Sequence, residues 1–331
     1  MSISRLDQYN LSILSRKKVK VSLSKTQIIE LLEKSKYNKT LIPVLEYLLR
    51  IVTRKDIGWS ELKILEGKIN KNLVRQKNTL KDIKKILSQR KIEYLISKTA
   101  RTIPYVTHDI DIVVKEKDFE RTVEVFGLDG YRIGKHGTIN GIKANWQITA
   151  KKDNQLLIDI HKNISWMGSE YLSFTDYWSN PGHQKFFGTT QPIPSKEVEL
   201  IQVAANVLFE KFHLTLLDYL YLKKLIAFSK VGEVTRITEK YKWGNLFNDL
   251  MTAITDIERK DKPEIVSRVF KVDSDISFPI IVRFSYSIRI FLNRLFSGYG
   301  ISLVAVIYVC YMYLKMYLKK GNFYPYYFSI K

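Results

Sequence analysis

Cysteine is nearly absent: Cys310 is the only one in 331 residues. A single thiol can form neither an internal disulfide nor a cysteine-rich zinc site, so a disulfide-stapled secreted scaffold is excluded. His136, His183 and His213 add no zinc spacing. Glycine is sparse, 15 residues, and none falls at the spacing of a P-loop or a dinucleotide fingerprint. The glycines of "GLDGYRIGKHG" follow a helical pattern rather than a strand and read as turns. The opening "MSISRLDQYNLSILSRKKVK" lacks an apolar core, so no signal peptide is expected and a cytoplasmic protein is. Acidic residues are outnumbered, 33 Asp+Glu against 54 Lys+Arg, for a formal net charge of +21. Such a surplus favours polyanionic partners: nucleic acid, nucleotides or an anionic membrane surface. Residues 1–90 hold 21 Lys+Arg and 8 Asp+Glu, so most of the surplus sits there. Long apolar runs are missing except at the C-terminal end, where Tyr299 to Leu314 carries no charge and Lys315, Lys319 and Lys320 follow. A spanning helix needs roughly 20 apolar residues. The run reads as a buried terminal helix, with membrane attachment through 299–318 as the alternative.

A hydrophobic fraction of 45% and a charged fraction of 26% describe a folded chain with a sizeable core. After a basic arm over 1–22, the pattern is helical to about Arg90. "SKTQIIELLEKSK" places Ile28, Ile29, Leu31 and Leu32 at helical spacing behind a Ser24 cap, and "NTLKDIKKILSQRK" predicts a fresh helix from Asn78 or Thr79. From Ile92 the period shortens. "IEYLIS" and "HDIDIVV" read as strands, "DFERTVEVFG" as a helix, and "ANWQITAKK" with "LLIDIHKNI" as a hairpin across "KKDNQ". After Pro192 and Pro194 the apolar stripe Val198, Ile201, Ala204, Ala205, Leu208, Phe209 and Phe212 restores the helical period. The expectation is an α+β fold: a basic helical region over 1–90, a small mixed-sheet core over 91–190, and a helical C-terminal domain over 191–331.

Asp109 and Asp111 alternate with Ile110 and Ile112, so both carboxylates leave one face of the strand while the isoleucines enter the core. Two like charges at that spacing repel, and a divalent cation with hard oxygen ligands compensates them. Spacing alone is weak: Asp273 and Asp275 repeat it in "KVDSDISF", a polar turn-like stretch. Asp159 strengthens the first pair. It interrupts the apolar strand "LLIDIHKNI", where an unpaired acid is costly. If that strand neighbours the first, three carboxylates converge. Edge-strand acids paired with lysines are the plain alternative.

The order strand, "HDIDIVV", helix, Gly130-Tyr131 turn and hairpin ending in Asp159 and His161 resembles the nucleotidyltransferase superfamily of the DNA polymerase beta type. It is most similar to a branch of uncharacterised prokaryotic nucleotidyltransferases, over about residues 80–230. The resemblance implies transfer of NMP from an NTP to a hydroxyl or phosphate acceptor, with Mg²⁺ or Mn²⁺ held by Asp109, Asp111 and Asp159. RNA, a protein or a small molecule each fit as acceptor. His161 would orient a carboxylate or touch phosphate, or be structural. The superfamily's Gly-Ser pair is replaced here by Ser97, Lys98 and Thr99, without glycine. A lysine and hydroxyls there would meet phosphate as a point charge and donors. The missing glycine keeps open an inactive relative that binds nucleotide or nucleic acid through its basic surface. A D-x-D pair also serves sugar-nucleotide transferases, but the short core lacks the preceding βα units. His108 points away from Asp109 and reads as structural. Arg101 reads as a surface arginine before a phosphate contact. Asp218, in an apolar helix, is expected to buttress the site or to pair with a core lysine.

Overall fold

The computed structural model describes residues 24–37, 39–52, 58–99, 101, 104–134, 138–139, 142–143, 147–166, 169–211, 214–241 and 243–259. The N-terminal arm, Asp273, Asp275, Cys310 and the apolar run 299–318 lie outside the described residues.

Three helices lead: α1 (Lys25–Tyr37), α2 (Leu41–Ile51) and α3 (Trp59–Gln89). Ser24 caps α1 as expected. Its hydroxyl accepts the Gln27 N–H at 3.3 Å, and the Gln27 side chain accepts the Ser24 N–H at 2.9 Å. The helix start expected at Asn78 or Thr79 does not occur, because α3 runs through both. Thr79 is not a cap; its hydroxyl donates back to the Arg75 carbonyl at 2.8 Å and accepts the Leu156 N–H at 2.9 Å. Leu31, Val44, Leu48, Leu62 and Ile69 join the three helices in one apolar cluster.

The sheet then forms from β1 (Tyr94–Ser97), β2 (Asp109–Val114), β3 (Arg132–Ile133), β6 (Gln147–Lys151) and β7 (Leu157–His161), with α4 (Phe119–Leu128) between β2 and β3. A two-residue ribbon, β4 (Thr138–Ile139) with β5 (Ile142–Lys143), precedes β6. The order is β1-β2-β7-β6-β3; β2 and β7 are parallel and the other pairs antiparallel. The expected hairpin is therefore β6–β7, and its second strand does neighbour the Asp109–Asp111 strand. Ile110, Ile112, Ile158 and Ile160 bury one face against Leu80, Ile83 and Leu87 of α3 and Phe126 of α4. Full burial of each such side chain contributes about 1.5–3 kcal/mol, which fixes the register of the polar face behind it.

β8 (Ser165–Trp166) and β9 (Ser169–Glu170) pair, α5 (Phe174–Tyr177) follows, and β10 (Gly182–Phe186) pairs with β11 (Thr189–Ile193). Sequence reading passes over the β10–β11 ribbon, treating Pro192 as punctuation. Pro192 lies opposite His183 in a two-stranded ribbon, where a missing N–H is tolerated. Gln191 ties the ribbon in, accepting from Tyr94 Oη at 2.8 Å and donating to the Leu80 carbonyl at 2.9 Å.

From Lys196 to Arg259 the described chain is helical: α6 (Lys196–Ala205), running into a π-helical segment Asn206–Lys211, then α7 (Leu216–Phe228), α8 (Val231–Lys240) and α9 (Gly244–Arg259). Their core takes in Leu95 and Val113 from the second face of the sheet. That face is thus apolar under the helices and polar at the strand ends. The fold is α+β around a small mixed sheet. Among the described residues, no helix is long and apolar enough to cross a membrane.

Candidate active site

The polar strand ends open onto a cleft of about 370 Å³. Ser97, Asp111, Asp159 and Thr149 stand in one row across β1, β2, β7 and β6, paired in register. Asp111 and Asp159 are direct neighbours on parallel strands, which is the convergence the alternating sequence demands. Asp109 leaves the same face two residues earlier and also lines the cleft.

Asp111, Asp159 and His161 each present a ligand atom within 4.8 Å of the other two. Among the described residues this is the only cluster able to hold a metal ion. His161 Nε2 lies 2.9 Å from Asp111 Oδ1. An ionised carboxylate only accepts, so Nε2 carries the proton and donates. Burial pushes the Asp111 carboxyl up, but the His161 hydrogen bond and the Lys98 charge outweigh it and hold the group below its usual range. Burial, then the Asp111 charge, raise Asp159 to about 6. The two acids divide the load: one keeps its charge while the other holds its proton more tightly. Asp159 Oδ1 is buried without a hydrogen-bond partner, an uncommon state for a carboxylate oxygen. A cation shared between Asp111 and Asp159 would satisfy that atom and relieve the repulsion, so the donor set fits a divalent metal. Burial and the Asp111 charge also raise Asp109, against a 3.1 Å hydrogen bond from the Thr107 hydroxyl to Asp109 Oδ1.

The Ser97–Thr99 stretch lines the cleft, yet its two hydroxyls are engaged within the protein. Gln202 Nε2 donates to Ser97 Oγ, and Thr99 Oγ1 accepts the Asp111 N–H at 3.3 Å. Lys98 between them takes a left-handed conformation, φ 46°, so the turn usually reserved for glycine is made by lysine. Of the three, Lys98 is the half-buried side chain with a charge to offer.

Arg101 is not on the surface. It is buried, its side chain 4% exposed, and its Nη1 donates to Asp218 Oδ1 at 2.6 Å. Tyr105 and Tyr221 flank the guanidinium at 5.5 and 5.4 Å from the ring centroids. Asp218 thus pairs with an arginine, not a lysine, and its other oxygen accepts from the Thr215 hydroxyl at 2.7 Å and from the Thr215 N–H at 3.4 Å, the second closing the capping box of α7. Arg101 Nε also donates to the Lys98 carbonyl at 3.3 Å. The ion pair therefore fastens the Lys98 turn to the helical domain. His108 is exposed, and its carbonyl accepts the Leu157 N–H at 3.3 Å.

Several lining residues carry no warning in the sequence. Lys39 arrives from the turn between α1 and α2. Gln202 and Asn206 lie one turn apart on α6 and its π-helical extension. Gln202 does leave a trace, a polar residue inside the Ile201–Ala205 apolar run. Lys39 leaves none, since only the tertiary fold brings it to β2.

Residues 107–248 match the profile of a family described as "Uncharacterised nucleotidyltransferase". Over that span the chain is similar to a nucleotidyltransferase family. The matched span opens at Thr107, two residues before the acid pair, and closes within α9, so it contains Asp109, Asp111, Asp159 and His161 of the cleft. Lys39 and the Ser97–Thr99 turn fall outside it. No curated protein matches the chain. Among solved structures, the chain is similar to the lincosamide antibiotic adenylyltransferase LnuA with lincomycin bound, at 18% identity and TM-score 0.34, over 46% of this chain and 98% of that one. It is also similar to the antibiotic-resistance factor ANT(2'')-Ia, at 9% identity and TM-score 0.36, over 55% of this chain and 96% of that one.

Proposed function

We propose that the chain transfers NMP from an NTP to a hydroxyl or phosphate acceptor in a metal-dependent reaction. The observation that carries this is the in-register pair Asp111–Asp159 with its unpartnered Asp159 oxygen at the floor of the cleft. Asp109, Asp111 and Asp159 would hold Mg²⁺ or Mn²⁺, with His161 beside them. Such ions, when bound, neutralise phosphate charge and lower the pKa of an acceptor hydroxyl. The protein's own share is positional. His161 Nε2–H keeps Asp111 ionised and oriented through its 2.9 Å hydrogen bond. Thr107 orients Asp109 through its 3.1 Å hydrogen bond. Asp159, with a pKa near 6, is suited to take the proton that the acceptor loses. Lys98 meets phosphate as a point charge. The acceptor is RNA, a protein or a small molecule, and the reaction takes place in the cytoplasm.

A second reading is a nucleotide-binding relative without transferase activity. Ser97 favours it: the hydroxyl expected to meet phosphate is buried and occupied by Gln202. One experiment separates the two. Each of the four α-labelled NTPs is incubated with the protein, Mg²⁺ or Mn²⁺, and cell lysate. Label transfer that vanishes in D109A/D111A and in D159A supports the transferase; transfer that survives in them overturns the proposed site. Retained NTP binding with no transfer under any condition establishes the second reading.

A further inference from the structure

Lys39 ends α1 in a left-handed conformation, φ 56°, where the Lys39 N–H bonds the Lys36 carbonyl at 3.1 Å and the Thr40 N–H bonds the Ser35 carbonyl at 2.8 Å. Glycine or asparagine fits such a helix end with least strain. The conformation alone marks nothing, since Lys91 shares it after α3, outside the cleft. What separates Lys39 is where it is carried. Its ammonium lies 6.0 Å from the Tyr105 ring centroid, and it lines the cleft with Lys98, Asp109 and Asp111.

The approach is built into the packing. Val106, in the loop before β2, packs against the apolar cluster of the N-terminal helices. One residue on, Asn72 of α3 donates to the Thr107 carbonyl at 2.9 Å. These contacts fix the N-terminal helices on the same loop whose Thr107 hydroxyl holds Asp109. The charge of Lys39 reaches both acids, lowering the proton affinity of Asp109 and of Asp111. Lys39 and Lys98 are therefore two cations lining the cleft beside a carboxylate cluster, each on a left-handed turn. Carboxylates with a bound divalent ion and a flanking pair of ammonium groups are matched to a polyphosphate, whose charge is spread over several oxygens.

We propose that Lys39 is a nucleotide-binding residue that contacts the phosphate tail of the NTP together with Lys98, making the N-terminal helices one wall of the nucleotide site. This rests on the transferase reading given above and assigns a binding residue outside the matched family span.

The test is equilibrium binding of the α,β-methylene analogue of each NTP to the full chain with Mg²⁺, alongside the corresponding nucleosides and inorganic tripolyphosphate as competitor. Lys39→Met is expected to weaken the best NTP analogue about tenfold or more, the loss of one charge-assisted contact. It should weaken tripolyphosphate competition in parallel, leave nucleoside binding unchanged, and keep the thermal midpoint of the wild type. Lys39→Arg should restore most of the affinity. An unchanged analogue affinity in Lys39→Met, with a binding-competent wild type, overturns the inference alone. So does an equal loss for nucleoside and analogue, which would mark a structural role. A wild type that binds no analogue overturns both the inference and the reading beneath it.

Discussion

At the scale of single residues, the cleft is organised by an unequal pair. Asp111 and Asp159 sit side by side, but His161 hydrogen-bonds Asp111 and Asp159 is raised chiefly by burial. Their proton affinities diverge as a result, one held low and the other raised to about 6. Replacing Asp111 or Asp159 by Asn keeps the shape and removes the charge, and should lower NMP transfer by about 10²–10³, the usual loss for a group that stabilises developing charge. Steady-state rates with saturating NTP measure this. Activity within threefold of wild type in both variants would remove the pair from the mechanism. His161 acts through Asp111, so its variant has a different signature. His161→Ala lets Asp111 rise towards its ordinary pKa, and Mn²⁺ binding should weaken about 10–100-fold, as for loss of a ligand's supporting hydrogen bond. Protons should also compete with the metal at higher pH than in the wild type. A Mn²⁺ titration followed by paramagnetic resonance at pH 5, 6 and 7 reads both effects; identical curves for the two proteins would show that the 2.9 Å contact has no bearing on the metal site.

At the scale of elements, the loop after β1 is anchored by buried charge. Arg101 and Asp218 form an ion pair with side chains 4% and 0% exposed, between β1 and α7. Removing one partner of a buried pair costs about 3–5 kcal/mol, because the other remains charged and unpaired. Asp218→Asn should lose that much in urea unfolding, and loss below 1 kcal/mol would mean that the pair is hydrated in solution. Beside it, burial raises Glu199 of α6 to about 7, and Tyr221 Oη donates to its Oε1. An acid raised in the folded state binds its proton more tightly there than in the unfolded chain. Its contribution to stability is then full below pH 4.5 and is lost as pH rises through 7. Glu199→Gln keeps the acceptor for Tyr221 and cannot ionise. It should match the wild type near pH 4.5 and exceed it at pH 8 by up to about 3 kcal/mol. A gap that does not change with pH would show that Glu199 titrates normally. These elements also mark what a sequence discloses. The β2 strand was legible because Ile–Asp alternation has one physical solution, a buried face and a polar face. The β7 acid was legible because a carboxylate among Leu and Ile needs a partner. The β10–β11 ribbon was hidden by Pro192, which breaks most strands but not a two-stranded ribbon. Arg101 and Lys39 were hidden for another reason: their partners lie far away in sequence, and no local pattern marks a long-range contact.

At the scale of the whole molecule, the basic N-terminal helices are joined to the sheet that carries the candidate site at two depths. The end of α3 is part of the sheet's own core, since Leu80, Ile83, Ile86 and Leu87 share a cluster with Ile110, Ile158 and Ile160. The start of α3 belongs to the other cluster, with α1 and α2. Two truncations should therefore behave differently. A chain starting at Lys91 loses four buried apolar side chains from beneath the sheet, worth about 1.5–3 kcal/mol each, a total comparable to the whole stability of a domain. It should show no cooperative thermal unfolding by circular dichroism. A chain starting at Gly58 keeps α3 whole and loses the α1 and α2 side of the cluster to which Leu62 and Ile69 belong and against which Val106 packs. It should unfold cooperatively at a lower midpoint and retain the Asp111–Asp159 pair. Because it lacks Lys39, it should also bind NTP analogues more weakly than the full chain while binding Mn²⁺ as well. Equal nucleotide affinity in the Gly58 form would confine the N-terminal helices to support of the fold. Cooperative unfolding of the Lys91 form would show that α3 is dispensable to the sheet.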